Sequence, residues 1–130
     1  TIDPKLEAVA FTEADKKNLI DFFMADAVIR PQYQATKHLT VFDSHFPRIW
    51  NMTADNGKMY VLSYEKKDKN RKFYILDLNN KGKVVKTAYL PIVQMDGEKT
   101  YPYTIKNNKF YHLIENLDDE DWELHIHTIK

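Results

Sequence analysis

The sequence predicts a mainly β fold: two tandem four-stranded antiparallel units, the second lacking its outer strand, preceded by one N-terminal α-helix. Three observations lead there. Tyr and Phe are plentiful, with 8 and 7 copies against 3 Gly, and aromatic side chains favour pleated, half-buried surfaces. From Arg48 onward, short apolar runs alternate with turn residues, the pattern of an antiparallel meander. Part of that meander also recurs at a fixed spacing, which is the mark of repeated structural units.

Length and charge bound the alternatives. A chain of 130 residues fits one domain and is long enough to bury a core. Its 19 Lys and Arg balance its 19 Asp and Glu, so the basic excess of a nucleic-acid binder is missing. No run approaches the roughly 18 apolar residues of a membrane span. No signal peptide is visible at Thr1, and a start without Met leads us to expect that an upstream segment has been removed. With no cysteine, disulfides, thiolate chemistry and cysteine-bound metal are excluded. The compartment is left open, because oxidising compartments also hold cysteine-free proteins.

The elements follow in order. Residues 1–11 alternate loosely (Leu6, Val9, Phe11) and read as an edge strand or an extended lead-in. Thr12-Glu13-Ala14-Asp15 has the form of a capping box. Leu19, Phe23 and Ala27 then recur at helical spacing, with Ile20 and Val28 beside them. Pro31 disfavours helical geometry at Arg30, so one helix is expected over about 13–29. Residues 31–47 read as irregular, with a short strand at 39–42. Strands are expected at 49–52, 59–64, 73–78, 84–90, 101–105, 110–114 and 124–129. Turn residues separate them at 55–57, 66–72, 79–82, Asp96-Gly97, Asn107-Asn108 and 117–121. The organisation is a lead-in over 1–47 and two sheet units, 48–98 and 99–130, forming one structural body.

The repeat has an offset of 51 residues, Lys109 minus Lys58. Asn56-Gly57-Lys58-Met59-Tyr60-Val61-Leu62 lies over Asn107-Asn108-Lys109-Phe110-Tyr111-His112-Leu113. Without a gap, the same offset places Trp50 on Tyr101, Thr53 on Thr104, Asp68 on Asp119, Ile75 on Ile126 and Leu78 on Ile129. A four-strand repeat of about 40 to 50 residues is the pattern of a β-propeller blade. Two blades cannot close a ring. Their outer faces leave apolar surface in water at a cost of about 25 cal/mol per Å², so further blades or another copy of the chain are expected as partners.

Two segments carry a family resemblance. Asp55-Asn56-Gly57-Lys58-Met59-Tyr60-Val61 looks like an Asp-x-Gly-x-apolar-aromatic-Val turn, and Leu76-Asp77-Leu78-Asn79-Asn80-Lys81-Gly82-Lys83-Val84 like a strand, Asp, turn, Gly, strand pattern. In these the chain resembles the bacterial six-bladed β-propellers akin to the NHL-repeat group, over about residues 31–130. The second unit departs from the pattern, with Asn107-Asn108 in place of Asp and Gly. The resemblance implies the C-terminal two blades of such a protein and a periplasmic or secreted address. It says little about activity, since one fold hosts many functions.

Chemistry-bearing residues are sparse. His125 and His127 share a strand face, with His112 on the preceding strand. Three imidazoles are a zinc-ligand set in principle. The plainer reading is that His125 and His127 lie near a blade surface and meet solvent or a neighbouring chain, and no metal or other cofactor is expected. His38 and His45 have no evident partners. The acids between Glu115 and Glu123 read as a solvated turn, whereas a catalytic acid needs a raised pKa. The basic hairpin over 65–72 and the acidic one over 115–123 are repeat equivalents, and mutual attraction and simple solubility are both consistent with them. Arg48, Trp50, Tyr101 and Tyr103 fall on the innermost strands, where aromatics and Arg suit a peptide or carbohydrate. No phosphate loop, G-x-S-x-G or H-E-x-x-H occurs. The expectation is a non-catalytic binding or scaffold module of a propeller protein. The alternative is a fragment of a propeller enzyme acting on carbohydrate or a related ester.

Overall fold

A computed structural model describes residues 5–95, 97 and 99–130. The expected turn at Asp96-Gly97 and the first four residues therefore lie, in part or wholly, outside the described residues.

The helical lead-in differs from expectation. Thr12 and Asp15 close the capping box, and α1 runs over Glu13–Ala25. It stops at Asp26, whose Oδ1 accepts from the backbone N–H groups of Val28 and Ile29 at 2.7 and 2.9 Å. That side chain starts a second helix, α2, over Ile29–Thr36. The single helix over 13–29 is thus corrected to two. Pro31 does not end helical structure, because it sits in the first turn of α2, where its missing N–H would have had no helical partner. Phe23 of α1 packs on Tyr33 of α2, with ring centroids 5.4 Å apart. The short strand expected at 39–42 is also absent. A 3₁₀ turn covers Lys37–Leu39, and Val41 beyond it is 90% exposed, without a strand to pair with.

The seven expected strands are present: β1 Asn51–Asp55, β2 Lys58–Lys67, β3 Asn70–Asp77, β4 Lys83–Leu90, β5 Tyr103–Lys106, β6 Lys109–Asn116 and β7 Asp121–Thr128. They form two antiparallel sheets, in order β1-β2-β3-β4 and β5-β6-β7.

The two sheets repeat one register. Asp55↔Lys58, Ala54↔Met59, Thr53↔Tyr60 and Met52↔Val61 recur as Lys106↔Lys109, Ile105↔Phe110, Thr104↔Tyr111 and Tyr103↔His112. Five pairs from Lys58↔Asp77 to Leu62↔Phe73 recur as Lys109↔Thr128 to Leu113↔Leu124. The offset of 51 even extends to turn hydrogen bonds, Leu78 N–H to Gly57 O and Ile129 N–H to Asn108 O, both 2.9 Å. Both first hairpins turn through two left-handed residues. These are Asn56 and Gly57 in one and Asn107 and Asn108 in the other, the backbone of a two-residue turn matched to strand twist.

Stacking follows from the alternation of side chains. One face of the first sheet carries Tyr60, Leu62, Phe73 and Ile75, all buried against Ile105, Phe110 and Ile129 of the second unit. Its opposite face carries Val61, Tyr74 and Leu76, which Leu6 of the lead-in covers. Phe110 is the repeat equivalent of Met59, which packs with that second cluster. The sheets therefore stack front to back, with equivalent faces pointing the same way. No helix among the described residues is long and apolar enough to cross a membrane.

Candidate binding cleft and sheet-to-sheet contacts

The lead-in builds a cleft where it crosses the far ends of β2 and β3. Ala10 and His45 form an isolated bridge, with Phe11 N–H donating to Ser44 O and Phe46 N–H to Val9 O. This brings Phe11 edge-on to Phe46, 4.9 Å between centroids. Phe46 stacks on Tyr64 at 4.5 Å, and Tyr64 on Trp50 at 4.8 Å. The Arg71 guanidinium closes the column 5.1 Å from the centre of the Trp50 ring, a cation–π arrangement. Two adjoining hollows of about 610 and 730 Å³ share Asp15, Phe46, Lys66 and Arg71 in their walls.

Arg71 is held in place from several sides. Its Nη1 donates to Tyr64 O at 2.8 Å, and Nη2 reaches Gln94 Oε1 at 3.5 Å. Burial lowers the basicity of the guanidinium, while Tyr64 and Asp15 favour its charge. Beside it, Lys72 Nζ meets Glu65 Oε2 at 2.8 Å, and the Tyr74 hydroxyl donates to the other Glu65 oxygen. Burial pushes the Glu65 carboxyl up, but Lys72, Tyr74 and the Glu7 backbone outweigh it and hold it below its ordinary value. The hydrogen bond to Glu65 correspondingly raises the Lys72 ammonium pKa. This group ties β2 and β3 to the lead-in, as does Arg48, whose Nη1 donates to Leu6 O at 2.5 Å.

The four residues expected on the innermost strands separate into different environments. Arg48 anchors the lead-in, and Trp50 sits in the aromatic column. Tyr101 meets Trp122 edge-on at 6.2 Å. Tyr103 packs between Phe73 and Phe110, and its hydroxyl is buried near the Asn51 side chain. Burial pushes that hydroxyl up to about 12, against a smaller opposing effect of the Asn51 side chain. Of the four, only Trp50 stands in the column beside the cleft. The cleft itself escaped sequence reasoning, because Asp15, Phe46, Lys66 and Arg71 come from four separate elements. The capping signal at Thr12 was the one hint of where the helix would begin.

The histidines hold structure together. His112 is fully buried; it accepts from Val93 N–H at Nε2 (3.0 Å) and donates from Nδ1 to Pro102 O (3.1 Å). Burial lowers its pKa, and His125 and His127 add to the effect. His125 Nε2 lies 2.8 Å from Glu123 Oε2, and His127 packs on Phe110 at 6.1 Å. Among the described residues, no cluster of three His, Asp or Glu side chains is placed to hold a metal ion. His45 Nδ1 contacts Ser44 Oγ at 2.9 Å, and His38 is exposed.

The contrasting hairpins are bonded within themselves. Lys72 pairs with Glu65 across its own hairpin, and Asn116 Nδ2 donates to Asp119 at 3.1 Å and Glu123 at 2.8 Å. No ion pair joins the two hairpins among the described residues. The ion pair that spans the sheets lies at their opposite ends, Lys106 Nζ to Asp55 Oδ1 at 2.9 Å. Comparison with known proteins returns no matching family model, no matching curated protein and no matching solved structure.

Proposed function

We propose that the chain is a non-catalytic binding or scaffold module whose two sheets are consecutive blades of a propeller-type protein. The observation that carries this reading is the front-to-back stacking of two sheets with one register. Repeated units stacked on their neighbours in this way bury a continuous core between them. The cleft walled by Phe11, Phe46, Lys66 and Arg71, backed by the Tyr64–Trp50 stack, supplies the ligand surface. Flat aromatic rings with one fixed cation suit a carbohydrate or a peptide.

The electrostatics favour binding over hydrolysis. A glycosidase needs a carboxyl group kept protonated near neutral pH. Asp26, Asp55, Glu65 and Glu123 are all shifted the other way, toward ionisation. His112, the buried imidazole, has both nitrogens engaged by backbone groups.

The reading is tested by incubating the chain with panels of oligosaccharides, acetylated sugars and peptides. Trp fluorescence reads binding, and mass spectrometry reads chemical change. Saturable binding that Arg71→Ala weakens, with every probe recovered intact, is the expected result. Hydrolysis of a sugar or ester at a rate that scales with protein concentration would replace this reading with the enzymatic one.

A further inference from the structure

The outer face of β5–β7 is the repeat equivalent of the face that the first sheet buries. Tyr111, Leu113, Leu124 and Ile126 stand where Tyr60, Leu62, Phe73 and Ile75 stand, in paired register. The first set is 0 to 3% exposed, whereas Leu113, Leu124 and Ile126 are 37, 59 and 53% exposed. Trp122 extends the same face at 52%. A contiguous apolar face of this kind marks an interaction surface.

We infer that this face pairs with the same face of a second copy of the chain, giving a two-fold dimer. The inference rests on reading the sheets as repeated units. Two observations select this occupant. First, the internal interface cannot be extended by a second copy adding front to back. The face such a copy would offer, around Val61, Tyr74 and Leu76, is already covered by Leu6. Arg48 and Glu65 hold that plug in place through the backbone of Leu6 and Glu7. The outer faces of β5–β7 are left to meet each other, and a contact of like with like is closed by a two-fold axis.

Second, charge fixes the direction. On this face Lys109 lies at one end of β6 and Glu115 toward the other, beside the acidic turn at Asp118–Asp121. A two-fold axis along the strands would set acidic turn over acidic turn. An axis across the strands reverses them and sets Lys109 of each copy over Glu115 of the other. The second arrangement buries Tyr111, Leu113, Leu124 and Ile126 at its centre with complementary charge at both ends.

Sedimentation velocity of the purified chain, from micromolar to sub-millimolar concentration, tests this. A monomer–dimer equilibrium is expected, and Leu124→Glu abolishes it while circular dichroism, and Tm at concentrations where the wild type is monomeric, stay at wild-type values. Lys109→Glu and Glu115→Lys each weaken association at least about tenfold, and the double variant recovers it. A monomer at every concentration overturns the inference. So does open-ended growth, a dimer indifferent to Leu124→Glu, or a double variant no better than the singles. None of these outcomes bears on whether the cleft binds or hydrolyses a probe, so the binding role of the cleft stands or falls separately.

Discussion

Asp55 and Lys106 occupy the same position of the repeat, 51 residues apart, and form an ion pair with each other across the two sheets at 2.9 Å. The second oxygen of Asp55 accepts from the Asn107 backbone N–H at 2.8 Å. The first hairpin of each sheet thus grips its counterpart. Asp55 is 4% exposed and Lys106 68%, so the two ends of the bond are not worth the same. Lys106→Ala should lower Tm only slightly, because an exposed ammonium gains little from pairing. Asp55→Ala should lower it by several degrees, because the Asn107 N–H loses its acceptor. Thermal unfolding of the two variants checks this, and equal losses would contradict it. The side-chain hydrogen bond from Lys106, then the backbone one from Asn107, holds the Asp55 carboxyl below its ordinary value. Its contribution is therefore present above the ordinary carboxylate pKa and is lost as pH falls through the lowered one.

His112 predicts a second, milder acid sensitivity. Burial lowers its folded pKa below the ordinary value of 6.5, so the unfolded chain takes up its proton first as pH falls. Stability from this residue is complete above about 6.5 and declines below it, down to the folded pKa. Tm measured from pH 7.5 to 5 should fall in that window, and His112→Ala should flatten the fall. The variant itself should cost about 1–3 kcal/mol, through the lost partners of Val93 N–H and Pro102 O. An unchanged pH profile in the variant would remove His112 as the cause.

Phe110 lies at the centre of the stack, fully buried and in ring contact with Phe73 and Tyr103. Phe110→Ala should cost about 3–5 kcal/mol, read by urea unfolding. Ile126→Ala, on the neighbouring strand but facing outward, should cost under about 1 kcal/mol at concentrations where the chain is monomeric.

At Gly57 a replacement meets two penalties. Its φ is +70°, and a Cβ there would lie 2.7 Å from Asn79 Nδ2. Gly57→Ala should destabilise by about 1–2 kcal/mol from backbone strain alone, with the contact adding to it. Asn108 stands at the equivalent place with φ 60° and already pays for a side chain, partly offset by its hydrogen bond to Ile129 O at 2.7 Å.

The strands were legible in the sequence because each carries a run of aromatic or branched residues bounded by Asn, Asp or Gly, and these signals are local. The repeat was legible for the same reason, as turn residues and strand residues recur together. The second helix was not, because Pro31 reads as a stop unless Asp26 is known to restart the helix just before it. Nor was the role of Leu6, which depends on a guanidinium 42 residues away. The structural role of His112 was not legible either, because its two partners, Val93 and Pro102, are backbone groups that no side-chain pattern announces. Local chemistry could be read from neighbours in the chain, whereas contacts across the stack could not.

The orientation of the second sheet against the first is most directly tested by nuclear Overhauser contacts from the rings of β6. The stack described here predicts cross-peaks from Phe110 to Phe73, and none from Tyr111 to Phe73. A slip of one residue would turn β6 over. Contacts from Tyr111 to Phe73, with Phe110 facing solvent, would contradict the account.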